Sequence, residues 1–178
     1  MTAATQWRVP QLLQDLKPHR PGEPEALVAV DRNVGLALLL HKLHGELFEI
    51  EEEPDATEEY ADFLTVLQSL YEIVAPHWDG WSFDDPAGMP LPLFMAVAAE
   101  PSPHPSPFGS VTGDIHRGIE RFGRDLLDSE AYVDIVRMLA HAASAAGADT
   151  GQLPAVYTDK AKRSGGFDKL LLWHRTDF

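Results

Sequence analysis

The chain has 178 residues, 44% of them hydrophobic, which is enough apolar surface for one domain with its own core but not for two full domains. Its formal net charge of −14 argues against binding to a nucleic-acid backbone, which requires a continuous basic surface, and suits cation binding better. The absence of cysteine excludes a disulfide framework and a thiolate zinc site.

The charge is unevenly distributed along the chain. No Lys or Arg lies between Lys42 and Arg117, whereas five of the fourteen basic residues lie between Lys160 and Arg175. The sequence therefore predicts an acidic body with a basic tail.

The first residues, MTAATQWRVP, lack the basic start and apolar run of a signal peptide. The longest apolar run, 34–40, is too short to span a bilayer. We expect a soluble cytoplasmic protein with no membrane partner.

Helical periodicity dominates the first half of the chain. One helix is predicted from Arg32 to the region of Pro54, and a second runs from an N-cap at Asp55 or Thr57 to Pro76. Upstream, PQLLQDL has room for a helical turn or two before HRPGEPE ends it.

Eight prolines between residues 76 and 112 predict a loop or extended connection rather than a regular helix. Helical spacing returns at Asp114 in DIHRGIERFGRDLLD and continues in SEAYVDIVRMLAHAASAAG, for which Gly147 is the predicted C-cap. No period-two alternation indicates a strand between residues 30 and 147, so the predicted fold class is all-α.

The two predicted helix pairs resemble each other. EEYADFLTVLQSL aligns with EAYVDIVRMLAHA, so that four identical residues coincide: Glu58 with Glu130, Tyr60 with Tyr132, Asp62 with Asp134 and Leu67 with Leu139. We expect a four-helix-bundle-like core about a pseudo-twofold axis, completed either within one chain or across a homodimer. The expected single domain, 1–178, then has four parts: 30–75, the first pair; 76–112, the proline-rich insertion; 113–148, a degenerate second pair; and 156–175, the basic tail.

Nine acidic residues and no basic residue lie between Glu46 and Asp62. At 100° per residue, Glu46 and Glu49 border the leucine stripe of the first helix, and Glu59 and Asp62 fall within or beside the apolar arc of the second. These four carboxylates could converge on a hard divalent cation such as Mg²⁺ or Mn²⁺. The alternative is that the acidic residues occupy a solvated helix end and a first helical turn, where the helix dipole favours them.

The helix pair KLHGELFEI and EEYADFLTVLQSL resembles the ExxE and ExxD pair of the MazG-like all-α nucleoside triphosphate pyrophosphohydrolases, in particular their phosphoribosyl-ATP pyrophosphohydrolase-like branch. RVPQLLQDL before the pair and KAKRSGGFDKLLL after it are similar to that branch's flanking segments, in the same order. The chain differs from the family in having Gly45 before Glu46, ATQW for its LVRD, and Ser164 inserted before the glycines.

This resemblance implies a Mg²⁺-dependent hydrolase that cleaves a nucleotide to the monophosphate and pyrophosphate. Glu46, Glu49, Glu59 and Asp62 would be both metal ligands and catalytic residues, and the metal would bridge the phosphates and lower the pKa of the attacking water. Substrate phosphates would be met by three basic side chains: Lys42, Lys160 and Arg163. The second helix pair is expected to be structural, without a metal site of its own.

Three other groups have two interpretations each. His41 and His44 are either metal ligands or, as we expect, surface histidines; Trp78 and Trp81 either stack on a base or, as we expect, pin a loop to the core. Ser164 to Gly166 form a turn suited to phosphate only by composition. The alternative function for the whole chain is a non-catalytic helical scaffold or binding module derived from the same fold, with a partner-binding surface in the proline-rich segment.

Overall fold

The computed structural model describes residues 31–79, 88–100 and 106–167, together with the backbone of three short strands. Six α-helices make up the core: α1 Arg32–Glu52, α2 Thr57–Val74, α3 Pro90–Ala98, α4 Phe108–Arg124, α5 Ser129–Ala146 and α6 Leu153–Ser164. A 3₁₀ turn, Ala75–His77, follows α2 directly. The predicted all-α fold class is confirmed for this core.

The helices pack mainly in sequential pairs, α1 against α2 and α4 against α5, and α1 also contacts α4. Of the remaining two, α3 lies on α5 and α6 lies on α2. The four residue pairs of the internal similarity share their environments, since Tyr60, Tyr132, Leu67 and Leu139 are all buried while the two glutamates are exposed. The common pattern therefore reflects equivalent packing positions.

Helix ends follow local capping chemistry. The Asp31 carboxylate accepts from the Asn33 backbone N–H (2.9 Å) at the start of α1, and Gly147 closes α5 with φ 78°, which confirms the predicted C-cap. The predicted cap of α2 is wrong, because Ala56 occupies that position. Asp55 lies one residue too early, and the Thr57 hydroxyl donates instead to the carbonyl of Asp149.

The proline-rich segment contains α3, which the sequence interpretation missed. Pro90 and Pro92 both lie in its first turn, where backbone N–H groups have no partner within the helix, so neither breaks it. Helix α4 also begins six residues before the predicted Asp114, directly after Pro107. Two glycines in its first turns weaken the helical signal there, although Val111 and Ile115 are buried at helical spacing.

Three short strands, β1 Leu12–Leu13, β2 Leu27–Ala29 and β3 Leu171–Trp173, form an antiparallel sheet in the order β1-β3-β2. Leu12 and Leu13 are therefore extended rather than helical, because they pair with Leu172 and Leu171. This pairing joins the two ends of the chain. Among the described helices, none combines the length and apolar character that a membrane span requires.

Candidate metal centre

Two helices bring the predicted acidic residues together. Helices α1 and α2 are joined by only four residues, 53–56, so the last turns of α1 lie beside the first turns of α2. Glu46 and Glu49 precede this connection, and Glu59 follows it at a comparable distance. One carboxylate oxygen from each of these three glutamates lies within 4.8 Å of the other two. Elsewhere in the described ranges, no other group of three potential ligands comes this close.

The three glutamates differ in exposure. Glu46 is only 4% exposed, Glu59 is partly buried and Glu49 is exposed. All three were predicted from the sequence to face the core, but only Glu46 lies within it. Helical spacing predicts the direction of a side chain around the helix axis, but not how deeply the side chain is buried. The cluster therefore lies at the rim of the core, open to solvent on the Glu49 side.

Asp62 lies at the edge of this group and pairs with a lysine. Its carboxylate forms an ion pair with Lys160 of α6, whose ammonium also donates to the backbone carbonyl of Glu58 (3.2 Å). Lys160 therefore fastens α6 to the start of α2, beside the cluster.

A second lysine lies on the other side of the cluster. Lys42 forms an ion pair with Glu46 one turn away on α1, and its Nζ also lies 5.5 Å from the centre of the Phe167 ring. Both lysines that were predicted to bind substrate thus contact a predicted metal-binding carboxylate, Lys42 at Glu46 and Lys160 at Asp62.

Burial raises the pKa of Glu46, and repulsion from Asp62 and Glu49 adds to this effect, while Lys42 opposes it. Burial also raises the pKa of Glu59, from 4.5 to about 7, supported by a hydrogen bond and repulsion from Glu49. The carboxyl group of Glu59 therefore ionises near neutral pH rather than in the acidic range.

The donor set fits a hard divalent cation. Four carboxylates face only two lysines, Lys42 and Lys160, so the site keeps a net negative charge that favours a bound cation. All the converging atoms are carboxylate oxygens, the ligands that Mg²⁺ prefers. Around one octahedral Mg²⁺ adjacent oxygens lie about 3 Å apart and opposite ones about 4 Å apart, so the three side chains would close in on the ion as it binds.

Arg163, the third predicted substrate-binding residue, is exposed and pairs with Asp159 on its own helix (2.8 Å). Within the described residues, no contact joins it to the four carboxylates. The structure therefore brings six of the seven predicted site residues together and leaves Arg163 apart.

His44 contacts His116 of α4 rather than the acidic cluster. The two Nδ1 atoms are 3.0 Å apart and the rings stack with centroids 5.3 Å apart. Burial and the neighbouring His116 lower the pKa of His44. His41 is exposed, as expected, but the sequence interpretation missed the partner of His44, because nothing local links two residues that lie 72 positions apart.

Trp78 is a core residue, as expected. It is 5% exposed, its Nε1 donates to the carbonyl of Leu126 (2.8 Å), and its ring packs against Tyr132 with centroids 5.2 Å apart. Trp81 lies outside the described residues. Gly165, in the turn that suits phosphate only by composition, ends α6 with φ 70°.

Comparison of the chain with protein-family models, with curated proteins and with solved structures finds no significant match.

Proposed function

We propose that this protein is a Mg²⁺-dependent nucleotide pyrophosphohydrolase that cleaves a nucleoside triphosphate, or a related nucleotide, to the monophosphate and pyrophosphate. The observation that carries the proposal is the convergence of Glu46, Glu49 and Glu59 within 4.8 Å, at a solvent-open rim between two helices. Oxygen ligands of one metal ion must converge in this way, whereas surface carboxylates repel one another and tend to lie apart.

In this proposal the three glutamates and Asp62 hold Mg²⁺, with Mn²⁺ as a substitute. When bound, the metal supplies charge neutralisation of the phosphates and activation of the attacking water. The exposed side of the cluster, at Glu49, leaves room for the substrate.

Lys42 and Lys160 are placed to bind the phosphates of the substrate. In the structure they pair with Glu46 and Asp62. With those carboxylates engaged as metal ligands, the two ammonium groups would bind phosphate oxygens, which carry the negative charge of the substrate. Lys42 and Lys160 lie on different helices and can therefore approach the phosphate chain from two sides.

Glu59 links metal binding to pH. Its carboxyl group, with a pKa of about 7, must lose its proton before it binds a cation. The carboxyl group ionises as the pH increases through about 7. We therefore expect metal affinity, and with it activity, to rise over the same pH range.

The three-part motif resemblance supports the same function. Its two outer segments, at residues 8–16 and 160–172, lie at opposite ends of the chain and yet are joined, since β1 pairs with β3. The C-terminal segment also supplies Lys160 to the acidic cluster. The resemblance thus involves residues that are neighbours in space.

The test is product analysis with a panel of ribo- and deoxyribonucleoside triphosphates, with and without Mg²⁺. We expect release of monophosphate and pyrophosphate in equal amounts, dependent on Mg²⁺. Glu49→Gln and Asp62→Asn should abolish this activity, whereas Glu52→Gln, an exposed position near the end of the same helix as Glu49, should retain it.

Two outcomes contradict the proposal. Release of nucleoside diphosphate and inorganic phosphate, instead of nucleoside monophosphate and pyrophosphate, would indicate a different reaction. Lack of turnover on every nucleotide would favour the scaffold alternative.

A further inference from the structure

An open cleft of ≈ 430 Å³ lies between α2, α3 and α6, and the function proposed above does not use it. One wall is α2, the second is the start of α3, and the third is α6 with the turn that follows it. This volume is within the range of small-molecule sites. The cleft is thus large enough for part of a nucleotide.

The cleft lies on the same side of α2 as Asp62, which is at the edge of the acidic cluster. Asp62, Thr65, Ser69 and Glu72 follow one another at intervals of three or four residues, which places them along one side of α2. The last three line the cleft, and so does Ala161, the neighbour of Lys160 on α6. The cleft and the Asp62–Lys160 ion pair at the edge of the cluster therefore lie along the same contact between α2 and α6.

The length of this contact suits a nucleotide. Asp62 and Glu72 are ten residues apart, which is about 15 Å along a helix axis. Long side chains on a helix point back toward its N-terminus, so the Glu72 carboxylate lies closer to the cluster than its Cα. An extended nucleoside monophosphate is shorter than this axial separation, so its phosphate would lie at the Asp62–Lys160 end of the cleft and its base would meet the Glu72 carboxylate, which is tilted toward that end.

The lining offers apolar walls and hydrogen-bond acceptors. Met89, Leu91 and Tyr157 supply apolar and aromatic surface for the faces of a planar ring. At the Glu72 end, Gln68 Nε2 donates to Glu72 Oε1 (2.7 Å), which uses one donor of the amide and fixes its orientation. The Gln68 carbonyl oxygen and the second Glu72 oxygen remain as acceptors. No Lys, Arg or His is present in the described lining.

A pair of acceptors that includes a carboxylate selects a ligand edge with adjacent N–H donors. Among the common nucleobases, guanine presents such an edge, with N1–H beside the N2 amino group, and a carboxylate can accept from both. Uracil and thymine have a single N–H between two carbonyl groups, which a carboxylate repels.

From this geometry we propose that the cleft binds the base of a guanine nucleotide, with Glu72 accepting from its Watson–Crick edge. The inference rests on the proposed function, because it assumes that the phosphates lie at the acidic cluster. It assigns the substrate class that the motifs leave open.

The test is calorimetric titration of the full chain, in the presence of Mg²⁺, with guanosine monophosphate and with inosine monophosphate. The two ligands differ only in the N2 amino group. We expect the guanine nucleotide to bind about tenfold to hundredfold more tightly, since one charge-assisted hydrogen bond distinguishes them.

Glu72→Gln should remove most of this preference, because an amide offers fewer lone pairs and presents N–H groups of its own to the base. Glu72 is exposed, so the variant is expected to fold normally. The matched control is Glu130→Gln, which alters an exposed glutamate that lines a separate depression on α5. It should keep the full preference.

Equal affinity for the two monophosphates, no binding of either, or an unchanged preference in Glu72→Gln would overturn the inference. Hydrolysis separates this failure from failure of the proposed function. Turnover that does not favour GTP over ITP contradicts the base assignment alone, whereas selective guanine binding without hydrolysis contradicts the reaction alone.

Discussion

Replacing Glu59 by glutamine should stabilise the metal-free protein at pH values above about 7. The folded-state pKa of Glu59 is about 7, above its ordinary value of 4.5, because the group is partly buried and lies against Glu49 and Asp62. A group with a raised pKa contributes stability that is fully present below pH 4.5 and is lost as the pH rises through about 7. The glutamine side chain of the variant carries no titrating group and can still donate a hydrogen bond to Glu49.

The size of the effect follows from the shift. A rise from 4.5 to about 7 corresponds to about 3 kcal/mol of stability lost above pH 7. Because Glu59 is only partly buried, screening by solvent reduces this to about 1–2 kcal/mol. For a chain of this length, each kcal/mol shifts Tm by about 2–4 °C.

The assay is urea unfolding followed by circular dichroism at about pH 5 and about pH 8, with a chelator present. Stability of the wild-type chain should fall between these pH values by about 1–2 kcal/mol more than that of Glu59→Gln. Glu58→Gln, an exposed neighbour, is the control and should follow the wild type. Equal pH dependence in the wild type and Glu59→Gln would refute the described electrostatics of the cluster.

Three further predictions concern single side chains. Lys160→Met should weaken substrate binding about tenfold or more, because it removes a charge that pairs at the cluster, whereas Arg163→Met should change steady-state kinetics little, because Arg163 lies in an exposed pair with Asp159. Tyr132→Phe should raise the free energy of unfolding by about 1 kcal/mol in urea titrations, since its buried hydroxyl has no hydrogen-bond partner among the described residues; a loss of stability would point to a partner. Gly147→Ala should lower the free energy of unfolding by about 1 kcal/mol, because φ is 78° at that position. An unchanged midpoint of urea unfolding would contradict the left-handed cap.

Features that depend on neighbouring residues could be predicted from the sequence. Four helices of the two pairs and the C-cap at Gly147 follow from apolar spacing and from the conformational freedom of glycine. The approach of Glu46, Glu49 and Glu59 was also predictable, because a short connection forces adjacent helices to place equivalent turns side by side.

Features that depend on three-dimensional packing could not be predicted from the sequence. Helix α3 was hidden because prolines are unfavourable inside a helix but acceptable in its first turn. The exposure of Glu49 and the contact between His44 and His116 depend on how deeply α1 lies against α4, which periodicity does not encode. The cleft near Glu72 is likewise formed by three elements that are distant in sequence.

If the carboxylates of α1 and α2 bind a divalent metal ion, a crystal soaked in Mn²⁺ should show the ion in an anomalous difference map. We expect a peak at bonding distance from Glu46, Glu49 and Glu59, with Asp62 beside it, and loss of that peak in Glu49→Gln. A map without a peak there, with the Lys42 and Lys160 ion pairs intact, would contradict the proposed metal centre.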